Sequence, residues 1–234
     1  MKRGVKMKIT FEGHACFTVF ANDTTVMIDP FITGNPACKK QLSEFHPDLI
    51  LITHGHGDHL GDALALARKS GATIAAQVDL LNVLDTEGIN TIAFNLGGSC
   101  NFNGLHITMV PAWHGNSVQT DKGVVGCGLA CGYVITSGEG CLYHAGDTAL
   151  FGDMEKILQD YHIDVAMLPI GDFYTMGPKD AVTAARWLKA KVVIPMHYNT
   201  FPIISQDVTA FLSELKMRTD RRGVALAPGE SFDY

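Results

Sequence analysis

The segment that most restricts this chain is Leu49-Ile50-Leu51-Ile52-Thr53, followed at once by His54-Gly55-His56-Gly57-Asp58-His59. An unbroken apolar run, β-branched at Ile50, Ile52 and Thr53, predicts a strand buried on both faces, in a sheet covered on each side. Where it ends, four potential metal donors arrive within six residues. Neutral imidazole and carboxylate suit borderline divalent ions such as zinc, and also manganese or iron. With the backbone still extended, His54 and His56 project to one side and can clamp one ion. Asp58 and His59 fall where the next helix begins and turn toward a second position, with Gly55 and Gly57 letting the backbone fold tightly between the pairs. A polar loop of surface histidines is the competing reading. It accounts well for one histidine and poorly for HxHxDH behind an apolar strand.

Three more candidate ligands stand in the same context, each just after an apolar run. Ile107 to Trp113 leads to His114, Cys141 to Gly146 leads to Asp147, and Val192 to Met196 leads to His197. Each is weak alone. If strand ends line one edge of the fold, where sheet proteins usually carry their sites, these residues converge with the first cluster and complete two coordination sets.

The pattern around these motifs alternates strand and helix. Strands are expected at Lys6–Phe11, Cys16–Phe20, Thr25–Ile28, Leu49–Thr53, Thr73–Ala76, Leu105–Val110, Gly128–Ile135, Cys141–His144, Val165–Pro169 and Val192–Pro195. Helices are expected at Gly61–Ser70, Asp79–Asp85, Asp153–Tyr161, Asp180–Ala190 and Ser205–Met217, the last with Ser205 as its N-cap. Gly97-Gly98 and Gly123 to Gly128 read as turns. After about Gly128 the order repeats loosely. The α/β class follows, as a four-layer αββα sandwich forming one domain, 1–234, of two related halves, 1–127 and 128–234.

Composition narrows the setting. The chain has 234 residues and a formal net charge of -6. Its nearest basic run, Arg218 to Arg222, is broken by Thr219 and Asp220, so nucleic acid and anionic membranes are not expected partners. The start, Val5 to Phe11 after Met-Lys-Arg, alternates like a strand and lacks a signal peptide's apolar stretch; no later run is long and apolar enough to cross a bilayer. The expected location is the cytoplasm. Six cysteines (16, 38, 100, 127, 131 and 141) lack CxxC pairing and read as buried thiols. Cys127 and Cys131 are expected on one strand, too far apart to bond each other.

The array resembles the metallo-β-lactamase superfamily, whose signature is HxHxDH with later His, Asp and His ligands. Flanking motifs resemble one branch more closely: Gly13-His14-Ala15-Cys16-Phe17, Ile28-Asp29-Pro30-Phe31, Tyr143-His144-Ala145-Gly146-Asp147-Thr148, Pro169-Ile170-Gly171-Asp172, Thr175-Met176-Gly177-Pro178 and Pro195-Met196-His197-Tyr198-Asn199-Thr200-Phe201-Pro202. These look like the metal-dependent hydrolases of bacteria and archaea related to ascorbate 6-phosphate lactonase. The resemblance covers nearly the whole chain and implies the αββα fold and a binuclear site. By position it implies His54, His56 and His114 on the first metal, Asp58, His59 and His197 on the second, and Asp147 bridging. The diiron branch usually carries Glu at the second histidine of the signature; His56 stands here, so zinc or manganese hydrolysis is favoured over redox chemistry. Asp29 is read as an acceptor for a ligand imidazole N–H, not as a ligand. Homo-oligomers are common among relatives, and one is expected here.

The expected chemistry is hydrolysis of an ester-type bond in a small anionic metabolite, a lactone or a phosphorylated ester. Two metals share a water and lower its pKa, with Asp58 and Asp147 as the catalytic carboxylates and Asp58 able to take the water's proton. Candidate substrate contacts are His14, Tyr174, Lys179 and Asn199. A structural hydrogen bond by His14, a solvated Lys179 and a turn-capping Asn199 are open alternatives. A phosphodiesterase or RNA-processing nuclease is the rival enzyme, and a metal-stabilised binding module the non-catalytic rival.

Overall fold

A computed structural model describes residues 7–234. In chain order its strands are β1 (Lys8–Gly13), β2 (Cys16–Ala21), β3 (Thr24–Ile28), β4 (Leu49–Leu51), β5 (Thr73–Gln77), β6 (Thr91–Phe94), β7 (Ser99–Phe102), β8 (Leu105–Pro111), β9 (Ser117–Thr120), β10 (Gly123–Gly126), β11 (Cys131–Ser137), β12 (Gly140–His144), β13 (Val165–Pro169), β14 (Val192–Met196), β15 (Arg222–Gly223) and β16 (Ser231–Asp233). The helices are α1 (Gly57–Leu60), α2 (Ala63–Ser70), α3 (Val78–Val83), α4 (Asp153–Leu158), α5 (Pro178–Leu188) and α6 (Val208–Arg218).

Two seven-stranded sheets form the middle of an αββα sandwich, ordered β16-β1-β2-β3-β4-β5-β6 and β15-β14-β13-β12-β11-β8-β7. The chain changes sheet between Phe94 and Ser99, and the C-terminal β16 returns to pair with β1. The apolar run from Leu49 to Ile52 explains the layering. Leu49 and Leu51 point into the core shared with the second sheet, beside Phe17, Ile28, Met109 and Tyr133. Ile50 and Ile52 point the other way, onto Leu66 and Ala67 of α2 and Leu80 of α3. Period-two alternation thus fills two cores from one strand. Each such aliphatic side chain contributes roughly 1.5–3 kcal/mol through burial.

Cross-sheet hydrogen bonds aim the end of this run. The buried Tyr133 hydroxyl donates to the Ile52 carbonyl at 2.7 Å, and the Cys131 N–H donates to the Thr53 carbonyl at 3.1 Å. The second sheet therefore holds the backbone at the point where His54 emerges. Both partners are fully buried, so neither bond competes with water.

Several local expectations are corrected. Helix α6 is capped by Asp207, whose Oδ1 accepts from the N–H groups of Thr209 and Ala210 at 2.9 and 3.0 Å; Ser205 instead follows a 3-10 turn at Pro202–Ile204. Gly123–Gly126 is a strand, β10, paired with β9 in a two-stranded ribbon. Cys127 lies outside β11, which begins at Cys131, so the two cysteines do not share a strand. Strands β6, β7, β9, β15 and β16 and the short helix α1 were not expected, whereas α2 to α5 begin and end within three residues of expectation. The first expected strand includes Lys6, which lies outside the described residues. Among the described residues no helix is long and apolar enough to cross a membrane.

Candidate metal centre

His54 leaves the end of the β4 segment, and His56 is the N-cap of α1, which carries Asp58 and His59. Gly55 permits this path because any Cβ there would meet Val118 Cγ2 at 2.5 Å and the Ser117 carbonyl at 2.9 Å. Gly57 has no such neighbour, so the close approach needs one glycine of the pair. His114 follows β8, Asp147 follows β12 and His197 follows β14. All seven side chains meet at one edge of the sandwich.

The donors fall into two groups joined by one carboxylate. His54 Nε2 lies 3.0 Å from His56 Nδ1, which lies 3.3 Å from His114 Nε2. Asp58, His59 and His197, together with His14, form the second gathering. Asp147 Oδ2 reaches into both: it is 3.3 Å from His59 Nε2, 3.0 Å from His197 Nε2 and 3.6 Å from His114 Nε2. Burial should make such groups seek hydrogen bonds. Instead His59 Nε2, Asp147 Oδ1 and both ring nitrogens of His197 are buried without a hydrogen-bond partner. Buried donor atoms with no hydrogen-bond partner fit bound cations. A nitrogen and oxygen donor set of this kind suits divalent metal ions.

Outer partners fix which nitrogen faces the centre. Asp29 Oδ1 accepts the Thr53 N–H at 2.8 Å, and its Oδ2 accepts the Thr53 hydroxyl at 2.7 Å and His59 Nδ1–H at 2.8 Å. With its proton given to Asp29, Thr53 Oγ1 can accept from His54 Nδ1–H at 2.9 Å. Both histidines then turn their Nε2 atoms inward. One buried carboxylate thereby orients a ligand in each group, the arrangement that raises ligand basicity in metal sites. Thr53 was missed by sequence reasoning, although its place directly before the HxHxDH signature was a usable signal.

The charges are consistent with this order. Burial pushes the His54 imidazole well below its usual range, keeping it neutral. For His59 burial acts in the same direction, but Asp147 and Asp29 outweigh it and hold the ring well above that range. Burial would raise Asp147, yet His59 and His197 hold it well below the usual carboxylate range. A buried anion flanked by histidines binds protons in the absence of a cation and would exchange them for one.

The candidate substrate residues separate. His14 is 1% exposed and both its nitrogens are engaged, Nε2 with Asp58 Oδ2 and Nδ1 with Thr200 Oγ1, each at 3.0 Å. It therefore cannot contact substrate through a free nitrogen; it holds Asp58. Burial lowers its pKa to about 4, so the neutral ring donates to Asp58 and accepts from Thr200. Asn199, exposed and left-handed at φ 57, caps a turn by accepting the Gln206 N–H at 2.8 Å. Lys179 is exposed in the first turn of α5 and does not line the pocket. Tyr174 does line it. The cavity of about 490 Å³ has His56, Asp58, His114, Asp147 and His197 as its floor and Tyr174, Phe201 and Ile203 as walls. Phe201 and Ile203 had no motif to announce them. His144 is fully buried in the core and donates Nε2–H to the Ala15 carbonyl at 2.9 Å.

A strand-edge His/Asp cluster on an αββα sandwich defines a class, and the chain belongs to it: the metallo-β-lactamase superfamily, whose family described as Beta-lactamase superfamily domain matches residues 8–197. Within that class it is similar to a UPF0173 metal-dependent hydrolase of Pelotomaculum thermopropionicum, 46% identical over 97% of this chain and 100% of the relative. A namesake from Methanosphaera stadtmanae is 47% identical over 97% of this chain and 99% of its own length. Among solved structures, Igni18, a metallo hydrolase from the archaeon Ignicoccus hospitalis, superposes with a TM-score of 0.87 at 36% identity, covering 97% of this chain and 99% of that one.

Proposed function

We propose that this protein is a hydrolase that uses two divalent metal ions to cleave an ester-type bond in a small molecule, a lactone or a phosphorylated metabolite. The observation that carries the reading is the position of Asp147, whose Oδ2 lies within 3.0–3.6 Å of ring nitrogens from both ligand groups while its Oδ1 has no partner. In this reading His54, His56 and His114 hold one ion, Asp58, His59 and His197 hold the other, and Asp147 joins them; zinc suits these donors best, with manganese or iron next. Bound ions of this kind supply Lewis acidity and a water nucleophile that is acidic near neutral pH.

The chain's own residues then do three things. Asp29 and Thr53 engage the Nδ1 atoms of His54 and His59 and so turn their Nε2 atoms toward the site. The burial of Asp147 and His197 at the back of the floor keeps bulk water from them, which strengthens each electrostatic contact there. Asp58, with 34% of its side chain exposed against 3% for Asp147, is the carboxylate placed to take a proton from an attacking water. It is kept anionic by the His14 hydrogen bond against the opposing effect of burial.

The metal-dependent hydrolase names of the relatives support the same activity. Among the described residues no Lys or Arg lines the pocket, which gives the nuclease alternative no support. The test is metal analysis of the purified protein alongside a panel of lactones, esters and phosphodiesters, with His54→Ala as blank. Two ions per chain and turnover lost in the variant are expected. Two ions with every substrate untouched would leave only a metal-stabilised binding module.

A further inference from the structure

We propose that the substrate's non-reacting part is apolar and uncharged, held by Tyr174, Phe201 and Ile203; this narrows the hydrolase reading above and rests on it. The pocket divides by chemistry. Its floor carries the histidines and carboxylates, whereas its walls are an aromatic ring, a phenol and an aliphatic chain. Tyr174 is 54% and Ile203 50% exposed, and Phe201 is 36% exposed. Large apolar side chains gathered this way around one cavity mark a binding surface.

The neighbouring surface continues the pattern. A second cleft of about 350 Å³ meets the first at His114 and is walled by Leu96, Pro111, Ala112, Trp113 and Leu129. Trp113 is 65% exposed and stacks on Phe151 with ring centroids 6.0 Å apart. The centre thus lies between two apolar flanks, and among the described residues neither cavity is lined by Lys or Arg.

Charge decides what each part of a substrate meets. Two divalent ions facing Asp58 and Asp147 leave the floor positive, so an anionic or polarised reacting group belongs there. A second anionic group, remote from the reacting bond, would lie on the apolar walls with no cation to pair it, at a desolvation cost. A hydrocarbon chain or aromatic ring in the same place gains roughly threefold in binding per buried methylene.

The walls are also fixed in place. Asp172 and Phe173 are left-handed at φ 60 and 35, and the turn is closed by Thr175 N–H to the Asp172 carbonyl at 2.8 Å. Met176 N–H then donates to the Thr148 carbonyl at 2.8 Å, next to Asp147. Tyr174 is therefore carried on a turn anchored to the floor of the site.

Binding, not turnover, gives the cleanest test. Zinc-loaded protein is titrated calorimetrically with butyrate, hexanoate and adipate, carboxylates that share a metal-seeking head and differ in the tail. Hexanoate should bind about tenfold more tightly than butyrate, and adipate, with a second carboxylate in place of the methyl end, about tenfold more weakly than hexanoate. Ile203→Lys should erase or reverse the second difference, and Tyr174→Ser should shrink the first. Adipate binding as well as hexanoate, or both ratios unchanged in the variants, would overturn the proposal. So would absence of carboxylate binding, or a dimer that buries Ile203 and excludes all three probes. If the hexanoate preference holds while every ester goes unhydrolysed, it is the hydrolase reading that falls.

Discussion

His14 Nε2 donates to Asp58 Oδ2 at 3.0 Å, linking the turn between the first two strands to a carboxylate of the metal cluster. The same residue's carbonyl accepts the His197 N–H at 2.7 Å, and its ring lies 4.0 Å from the His197 ring. One buried histidine therefore positions two residues of the second ligand group. His14→Gln should weaken the second ion by about 10–100-fold and leave the first bound, as loss of an outer partner does in other metal sites. Chelator competition checks this; two ions retained at unchanged affinity would remove the role.

Asp29 differs from His14 because it serves both groups, His59 directly and His54 through Thr53. Asp29→Asn should lower affinity at both positions by about 10–100-fold, whereas Thr53→Val should affect chiefly the His54 group. Metal content after dialysis against graded chelator separates the two patterns. An Asp29→Asn protein that loses a single ion would contradict the shared anchor.

Metal removal should destabilise the fold. The buried, unpartnered atoms of His59, Asp147 and His197 have no protein donor to turn to. Ligand binding to the native state stabilises it by mass action, about 2.7 kcal/mol at a hundredfold excess over Kd. Thermal unfolding with and without chelator should therefore show a lower Tm for the stripped protein, and Asp147→Ala should abolish most of that difference.

A separate acid-sensitive contact closes the far side of the molecule. Asp164 accepts from Lys191 Nζ at 2.7 Å, the Tyr234 hydroxyl at 2.6 Å and the Cys141 N–H at 2.9 Å. Burial opposes ionisation, but these donors hold the carboxyl below its usual 3.8. A depressed carboxylate stabilises the native state fully above that usual value and loses the effect as pH falls through the lowered one. Asp164→Asn should thus lower the urea midpoint at neutral pH and flatten its decline below about pH 4. Parallel curves for the two proteins would show that the contact contributes nothing.

What could be read from sequence was set by burial. The run at Leu49 to Thr53 is apolar on both faces, so its strand, its layer and the emergence of His54 were all legible. His114, Asp147 and His197 were legible for the same reason, each standing where an apolar strand stops. Strands such as β10, with burial confined to one residue's partial cover, left no alternation to read. The α6 cap was misassigned because Ser205 and Asp207 are both good caps, and only the 3-10 turn at Pro202–Ile204 moves the start onward. Asp58's partner was hidden because a histidine 44 residues away gives no local signal. Phe201 and Ile203 follow a ligand by a few positions, and nothing in their types separates a pocket wall from ordinary surface.

The pairing of β16 with β1 sets Lys8 opposite Asp233 and Thr10 opposite Ser231. The outer strand of the amino-terminal sheet is thus supplied by a segment 221 residues further along the chain. Until that segment docks, the sheet is open along one border, and the exposed border is a place where two unfolded copies could join. Deleting Ser231 to Tyr234 should leave that border open, so that the shortened protein aggregates on refolding at concentrations the intact chain tolerates.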